Sequence, residues 1–178
     1  MVTESPSFRT AFTAVQTSLG EHPDRAAVIF TAETRQVGGL HSEARIRQFR
    51  LDIDEPPAPT GQDRGPNPVE LVLAALGACQ EITYRLDADT LGIHIDSVSV
   101  SVSGRLDLRG FFAVDERVRP GFKDITATVK IDSPASAEEI ERLRASVDRH
   151  CPVLDILRSV TPVRTRIEQN SALQRPAA

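Results

Sequence analysis

The sequence predicts an α+β fold in which antiparallel sheets pack on a long, buried central helix. Two observations lead to this prediction. The strand patterns come in clusters rather than alternating singly with helices, and one helix pattern is apolar almost all round. With 178 residues, of which 40% are hydrophobic, the chain is most simply one domain that can bury a single core.

Composition argues against several function classes. The net charge of −4, with no Trp and a single Tyr, is not typical of a nucleic-acid-binding surface. No stretch of 18 apolar residues is present, so we expect no contact with the membrane. The N-terminal residues lack a basic start followed by an apolar segment, which predicts a cytoplasmic protein. In that compartment two cysteines are more often free thiols than a structural bridge.

The first part of the chain predicts a helix followed by a hairpin. Residues 8–19 repeat apolar side chains with i, i+3, i+4 spacing, which indicates a short amphipathic helix. Residues 26–34 are rich in β-branched and aromatic side chains, which predicts a strand. A turn at Gly38 and Gly39 then leads into an alternating segment over 41–53, the second strand of the hairpin.

The central helix has clear start and stop signals. Asn67 is a good N-cap, Pro68 suits the first helical position, and Glu70 completes a capping box. Gly92 is a suitable C-cap. A helix from Pro68 to Leu91 is roughly 35 Å long at 1.5 Å per residue. It should therefore run through the middle of the domain or be covered by a second subunit.

The first half of this helix has the composition of a buried segment. Only Gly77 interrupts the apolar run over 69–79, and a helix that is apolar all round is a buried one. A glycine inside a helix costs about 1 kcal/mol relative to alanine, so we expect another backbone to approach Gly77 closely. The preceding residues, 54–66, are rich in proline and predict a loop.

The second part of the chain predicts two strands, a helix and a final strand. Alternating valines and isoleucines indicate antiparallel strands over 94–108 and 122–132. A capping box opens a helix over 136–150, and Pro152 ends or kinks it. Residues 160–168 have the pattern of a last strand.

The candidate chemistry lies with two cysteines, Cys79 and Cys151, which are 72 residues apart. Cys79 is either a small hydrophobic packing residue or a reactive thiolate, and a thiolate needs a nearby cation. A zinc site formed by both cysteines and His150 is a further hypothesis. The arginines that could supply the cation are Arg45, Arg47, Arg50 and Arg64.

The segments around both cysteines resemble one family. The first cysteine ends the segment PNPVELVLAALGAC, and the second lies 72 residues later in HCPVLDIL. Together these segments resemble the osmotically induced protein C and organic hydroperoxide resistance (OsmC/Ohr) family, in its uncharacterised OsmC-like branch. The resemblance implies an OsmC-like domain over 26–168 and an intertwined homodimer with its sites at the subunit interface. Residues 1–25 would be an N-terminal helical extension and 169–178 a flexible tail.

The resemblance also implies a reaction, that of a peroxiredoxin-like thiol peroxidase in oxidative-stress defence. Cys79 would attack an organic hydroperoxide and become a sulfenic acid, and Cys151 would resolve it to a disulfide. A dithiol reductant would restore both thiols. Arg50 and Arg47 are the first candidates for holding the thiolate. No cofactor, metal ion, nucleic acid or membrane is implied.

One position departs from the family pattern and leaves two functions open. The active peroxidases carry a Glu directly after the Asn-Pro pair, where this chain has Val69, and Glu70 follows. Glu70 serves either as the catalytic carboxylate or as the capping-box partner of Asn67. If the carboxylate role is absent, the chain would instead be a binding module that holds a small hydrophobic ligand at the dimer interface, or a thiol redox switch. The distance between the two sulfurs, and an arginine beside Cys79, would discriminate between these functions.

Overall fold

A computed structural model describes residues 8–58 and 60–169. Residues 1–7 of the predicted N-terminal extension and residues 170–178 of the predicted tail lie outside the described residues. The helices are α1 (Arg9–Glu21), α2 (Pro68–Leu91), α3 (Leu108–Phe111), α4 (Ala137–His150) and α5 (Pro152–Arg158), with a 3₁₀ turn at Pro23–Arg25. The strands are β1 (Glu33–Gly38), β2 (His41–Ile46), β3 (Phe49–Ile53), β4 (Ser97–Arg105) and β5 (Asp124–Asp132).

The strands form two separate antiparallel sheets, which confirms the predicted α+β class. Strands β1, β2 and β3 follow one another in a meander, and β4 pairs with β5. Gly39 makes the turn between β1 and β2 with a φ of 58°, in the left-handed region that glycine tolerates. Along β4 the valines are half-buried and the serines exposed, as the alternating pattern predicts.

The ends of α2 are those predicted. The side chain of Asn67 accepts a hydrogen bond from the backbone N–H of Glu70, and the Glu70 carboxylate accepts one from the backbone N–H of Asn67, each at 2.9 Å. Gly92 ends the helix in the left-handed conformation. These local signals act within a few residues of the chain, so they are readable without the tertiary structure.

The core lies along the second half of α2. The β4–β5 sheet packs on this helix, and so do α4 and α5. Leu143 and Val147 of α4 are completely buried. No helix within the described ranges is long and apolar enough to cross a membrane. The other core residues are Leu76, Tyr84, Ala88, Ile93, Ile95, Cys151 and Leu154.

Two predicted strands are wrong. Residues 26–32 have no regular structure, and β1 begins only at Glu33. Residues 160–168 also form no strand. Within the described part of one chain neither segment has a neighbouring strand, and an unpaired strand leaves its backbone groups without partners. Their apolar side chains consequently face solvent, with Ile29 91%, Phe30 92% and Val160 97% exposed.

The single strand predicted over 41–53 is also wrong, because the chain reverses in its middle. Arg47 adopts a φ of 55°, and Ile46 pairs with Phe49 across the turn. A two-residue hairpin turn usually carries Asn or Gly at such positions. The Arg47-Gln48 pair gives no such signal, so sequence patterns miss this turn.

The first half of α2 is less buried in the single chain than its composition predicts. Val69 is 38% exposed and Val72 is 36% exposed. The three-stranded sheet makes no extended contact with α2 or with the β4–β5 sheet, so the described residues of one chain cover this half of the helix only in part. Apolar side chains of that sheet, among them Phe49 and Ile46, are exposed as well.

The close backbone approach expected at Gly77 is absent. A Cβ atom at this position would lie 3.5 Å from Val102 Cγ2 and 3.7 Å from the Val100 carbonyl oxygen. Both distances are ordinary van der Waals contacts. Glycine is therefore not required at this position by the packing of α2 on β4.

We expect Gly77→Ala to stabilise the protein. Alanine is favoured over glycine inside a helix by about 1 kcal/mol, which corresponds to a rise in Tm of about 2–4 °C for a chain of this size. Thermal unfolding followed by circular dichroism measures the shift. Gly104→Ala is the control, because its Cβ would lie 2.6 Å from Phe122 Cδ1 and should lower Tm. A lower Tm for Gly77→Ala would contradict the packing described.

Candidate thiol site

The structure brings the two cysteines together. Cys79 lies in the middle of α2, and Cys151 lies between α4 and α5. The thiol of Cys151 donates a hydrogen bond to the sulfur of Cys79, with the two Sγ atoms 3.3 Å apart. A disulfide bond is about 2.05 Å long, so a small side-chain movement suffices to join them.

The helix break at Pro152 positions the second thiol. Proline has no N–H to continue α4, and it pushes the residue before it out of the helical region. Cys151 accordingly adopts φ −76° and ψ 109°. Its backbone N–H still donates to Val147 O at 3.0 Å, and its carbonyl accepts from the N–H of Asp155 at 3.0 Å. Cys151 thus ends one helix and starts the next, which holds its side chain towards α2.

The two thiols differ in environment. Cys151 is 1% exposed, whereas Cys79 is partly exposed. Burial raises the pKa of the Cys151 thiol, and the backbone N–H of Leu154 and the hydroxyl of Thr83 oppose this effect without cancelling it. Cys151 is therefore a protonated thiol at neutral pH, and Cys79 is the thiol that reagents can reach.

Polar neighbours of the thiol pair were not singled out from the sequence. Thr83 Oγ1 donates to the carbonyl oxygen of Cys79 at 2.8 Å. Asp87, one turn further along α2, lies 3.4 Å from His150 Nδ1, and Ser146 Oγ lies 3.2 Å from the same nitrogen. Thr83 and Asp87 follow Cys79 at steps of four residues, and this helical spacing is the signal that could have identified them.

The other predicted site residues are not brought to the thiols within one chain. The Glu70 carboxylate is engaged in the cap of α2. Arg50 donates to Glu43 at 3.4 Å, and the Arg47 guanidinium lies 5.1 Å from the centre of the Phe49 ring. The two remaining arginines also have local partners, the carbonyl of Arg47 for Arg45 and the ring of His41 for Arg64.

The described residues contain no group of three or more His, Cys, Asp or Glu side chains that could hold a metal ion. His150, the third ligand of the zinc hypothesis, is directed to Asp87 and Ser146. The chemistry that the site offers is thus that of two neighbouring thiols.

An α+β fold with two adjacent thiols at its core defines a candidate thiol-redox protein. The chain belongs to the OsmC family, because residues 61–166 match the family profile described as OsmC-like protein. This result confirms the resemblance seen in the two cysteine segments.

Known proteins with similar sequence or structure agree with this assignment. The chain is 27% identical over 123 residues to a hydroperoxide reductase of Mycoplasma pneumoniae, covering 67% of this chain and 80% of that protein. The crystal structure of an OsmC-like protein from the same organism has a TM-score of 0.66 at 24% identity, covering 75% of this chain and 89% of that one. An organic hydroperoxide resistance protein from Legionella pneumophila has a TM-score of 0.58 at 23% identity, covering 74% and 92%. At these identities the two structures support the fold alone.

We expect iodoacetamide to modify Cys79 before Cys151 in the reduced protein. Cys151 is buried and its pKa is raised, and only the accessible thiolate reacts. Peptide mapping by mass spectrometry at pH 8 should show a rate for Cys79 that is at least about tenfold higher. In guanidinium chloride the two rates should become similar. Faster modification of Cys151 in the folded protein would contradict the environments described.

Proposed function

We propose that this protein is a thiol-dependent hydroperoxide reductase that acts on organic hydroperoxides through Cys79 and Cys151, in defence against oxidative stress. The observation that carries the proposal is the 3.3 Å separation of the two sulfur atoms. A reduced thiol pair suits a reducing compartment, so we also propose that the protein is cytoplasmic.

The reaction balances with a dithiol as reductant. The Cys79 thiolate attacks one oxygen of the hydroperoxide, the O–O bond breaks, and the alcohol leaves after taking a proton. Cys79 is then a sulfenic acid. The Cys151 sulfur attacks it, water leaves, and a disulfide forms. Two thiol–disulfide exchange steps with an external dithiol restore both thiols and oxidise the dithiol to a disulfide.

The environments of the two cysteines support this division of roles. Cys79 is partly exposed and open to a substrate, whereas Cys151 is buried. A buried thiol is protected from direct oxidation but lies within reach of the sulfenic acid formed beside it. Protonated Cys151 also donates a hydrogen bond to the sulfur of Cys79, which holds the two sulfur atoms next to each other.

The cation that a reactive thiolate needs would come from a second copy of the chain. We propose a homodimer in which Arg50 of the partner subunit, or Arg47 of the partner subunit, lies beside Cys79. The support is the surface that one chain leaves exposed, namely the start of α2, most of the three-stranded sheet, and the unpaired segments 26–32 and 160–168. An exposed apolar surface of this kind is typical of a protein–protein interface.

One observation favours the binding module as a second candidate. A cavity of 660 Å³ lies between the start of α2 and α3, and its lining is mainly apolar. Val69, at the position of the family carboxylate, contributes to it together with Phe111 and Phe112. A cavity of this size and lining suits a small hydrophobic ligand. In this function the thiols would act as packing residues or as a redox switch.

The peroxidase proposal predicts different defects for the two cysteine variants. With tert-butyl hydroperoxide and dithiothreitol, Cys79→Ser should react no faster than free thiol, because no sulfenic acid can form. In a separate reaction without reductant, Cys151→Ser should still consume one equivalent of hydroperoxide and leave a sulfenic acid that dimedone traps, because the resolving thiol is gone. Stopped-flow kinetics and intact-protein mass spectrometry measure these outcomes.

Ser99→Ala, on the exposed face of β4, is the control variant and should retain the wild-type rate. If wild-type protein turns over no faster than Cys79→Ser, the reductase proposal is overturned. Binding of an apolar ligand by both proteins would then support the second candidate.

The dimer proposal predicts that a single charged substitution in segment 26–32 dissociates the dimer. Phe30 is 92% exposed in one chain, so Phe30→Asp should not disturb the fold of a monomer, but it would bury a carboxylate in the proposed interface. Light scattering should give twice the chain mass of 19.4 kDa for wild type and a lower mass for the variant.

If the partner's arginine serves the thiolate, Phe30→Asp and Arg50→Ala should both slow the reaction of Cys79 with hydroperoxide. Arg117→Ala is the matched control, because Arg117 is paired locally with Asp115. A monomeric wild type that turns over at full rate would contradict the dimer proposal.

A further inference from the structure

A second cavity lies beside the thiol pair, on a neighbouring face of α2. Its volume is 520 Å³, within the range of ligand pockets. Leu76, Gln80 and Tyr84, spaced four residues apart, form its buried wall, and neither cysteine lines it. The opposite walls come from β5, α4 and α5. This cavity is therefore separate from the proposed reaction site, although Leu76 and Gln80 flank Cys79 along the helix.

The buried wall carries one polar atom without a partner. Gln80 is 6% exposed, and its side-chain oxygen accepts no hydrogen bond within the described residues. A buried acceptor without a partner is unfavourable, so a donor in the cavity would stabilise the protein. Tyr84, which is also buried, lies one turn further along the same wall. Burial raises the pKa of Tyr84, with a further contribution from Asp148, and the phenol remains a neutral donor.

The rim of the cavity holds one basic side chain without an ion pair among the described residues. Four basic side chains line the cavity, and carboxylates hold three of them: Asp107 holds Lys123, Glu141 and Asp148 hold Arg144, and Asp148 also lies 3.7 Å from Arg158. Asp124 is held by Arg105 at 2.6 Å, and Asp148 by Arg144 at 2.7 Å. Arg119 forms no ion pair with any described residue and is exposed. The four basic residues are Arg119, Lys123, Arg144 and Arg158.

The space between the rim and the buried wall is apolar. Ile125 and Val129 of β5 line it on one side, and Leu154 and Leu157 of α5 line it on the other. A ligand that complements the rim, the apolar middle and the buried wall has a negative charge at one end, an aliphatic body, and a hydrogen-bond donor at the other end.

We propose that this cavity binds a small amphipathic carboxylate. The carboxylate lies at Arg119, the aliphatic chain lies between β5 and α5, and a hydroxyl or amide at the far end donates to Gln80. The proposal needs no chemistry at the thiols, so it stands or falls independently of the reductase activity.

Calorimetric titration of the full-length, reduced protein tests the proposal with three probes. These are ω-hydroxyoctanoate, octanoate, which lacks the donor, and octanediol, which lacks the charge. Wild type should bind ω-hydroxyoctanoate best, and each of the other two probes should bind roughly tenfold more weakly, since one charge-assisted or buried hydrogen bond is lost.

Substitutions at Arg119 and Gln80 test which residue binds each end of ω-hydroxyoctanoate. Arg119→Ala should weaken binding of both carboxylates and leave octanediol unchanged. Arg117→Ala, two residues earlier and held by Asp115, should change none of the three affinities. Gln80→Met keeps the length of the side chain and removes the unpaired oxygen. It should abolish the preference for ω-hydroxyoctanoate over octanoate without unfolding the protein.

The Cys79→Ser, Cys151→Ser double variant should bind ω-hydroxyoctanoate with the wild-type affinity, which separates this result from any loss of turnover. Three outcomes would overturn the proposal: no binding of ω-hydroxyoctanoate by folded wild type, equal weakening by Arg119→Ala and Arg117→Ala, or an unchanged preference in Gln80→Met.

Discussion

The chain turns at Cys151 and Pro152, between α4 and α5, and this corner packs against the second half of α2. The contact between the two sulfur atoms of the thiol site depends on this packing. Leu143 and Val147 are completely buried there, and Leu154 closes the corner from the other helix. Burying one such aliphatic side chain contributes about 1.5–3 kcal/mol. Because Pro152 forces the chain to turn at this point, the packing that stabilises the corner also carries Cys151 to α2.

Helix α2 presents two different surfaces to its neighbours. One stripe carries Cys79, Thr83 and Asp87, which face the corner residues. The adjacent stripe carries Leu76, Gln80 and Tyr84, which form the wall of the 520 Å³ cavity. A residue four positions along a helix lies on the same face, so a single helix can build two chemically distinct sites side by side. The first holds the thiols, and the second combines the unpaired side-chain oxygen of Gln80 with Arg119 at its rim.

One chain on its own leaves apolar side chains of two elements exposed to solvent. The three-stranded sheet has apolar side chains exposed on it, and so does the start of α2. The thiol pair is complete in one chain, whereas the arginine proposed to hold the thiolate is paired elsewhere on that sheet. A homodimer, as proposed above, would address both features at once, because the same contact that buries the sheet would bring its arginines towards α2.

Local signals in the sequence determined the ends of α2 at the Asn67 cap and the Gly92 stop, the start of α4, the break at Pro152 and the alternation along β4 and β5, because each depends on groups within a few residues. They gave no indication of α3. The motifs around the two cysteines were also sufficient to recognise the family. Only the tertiary structure decided the 3.3 Å contact between sulfurs 72 residues apart, since spacing along the chain does not determine distance in space. The failures have the same origin. An apolar segment such as 26–32 becomes a strand only where a neighbour offers hydrogen bonds, and among residues 8–58 and 60–169 of one chain no strand is placed to do so.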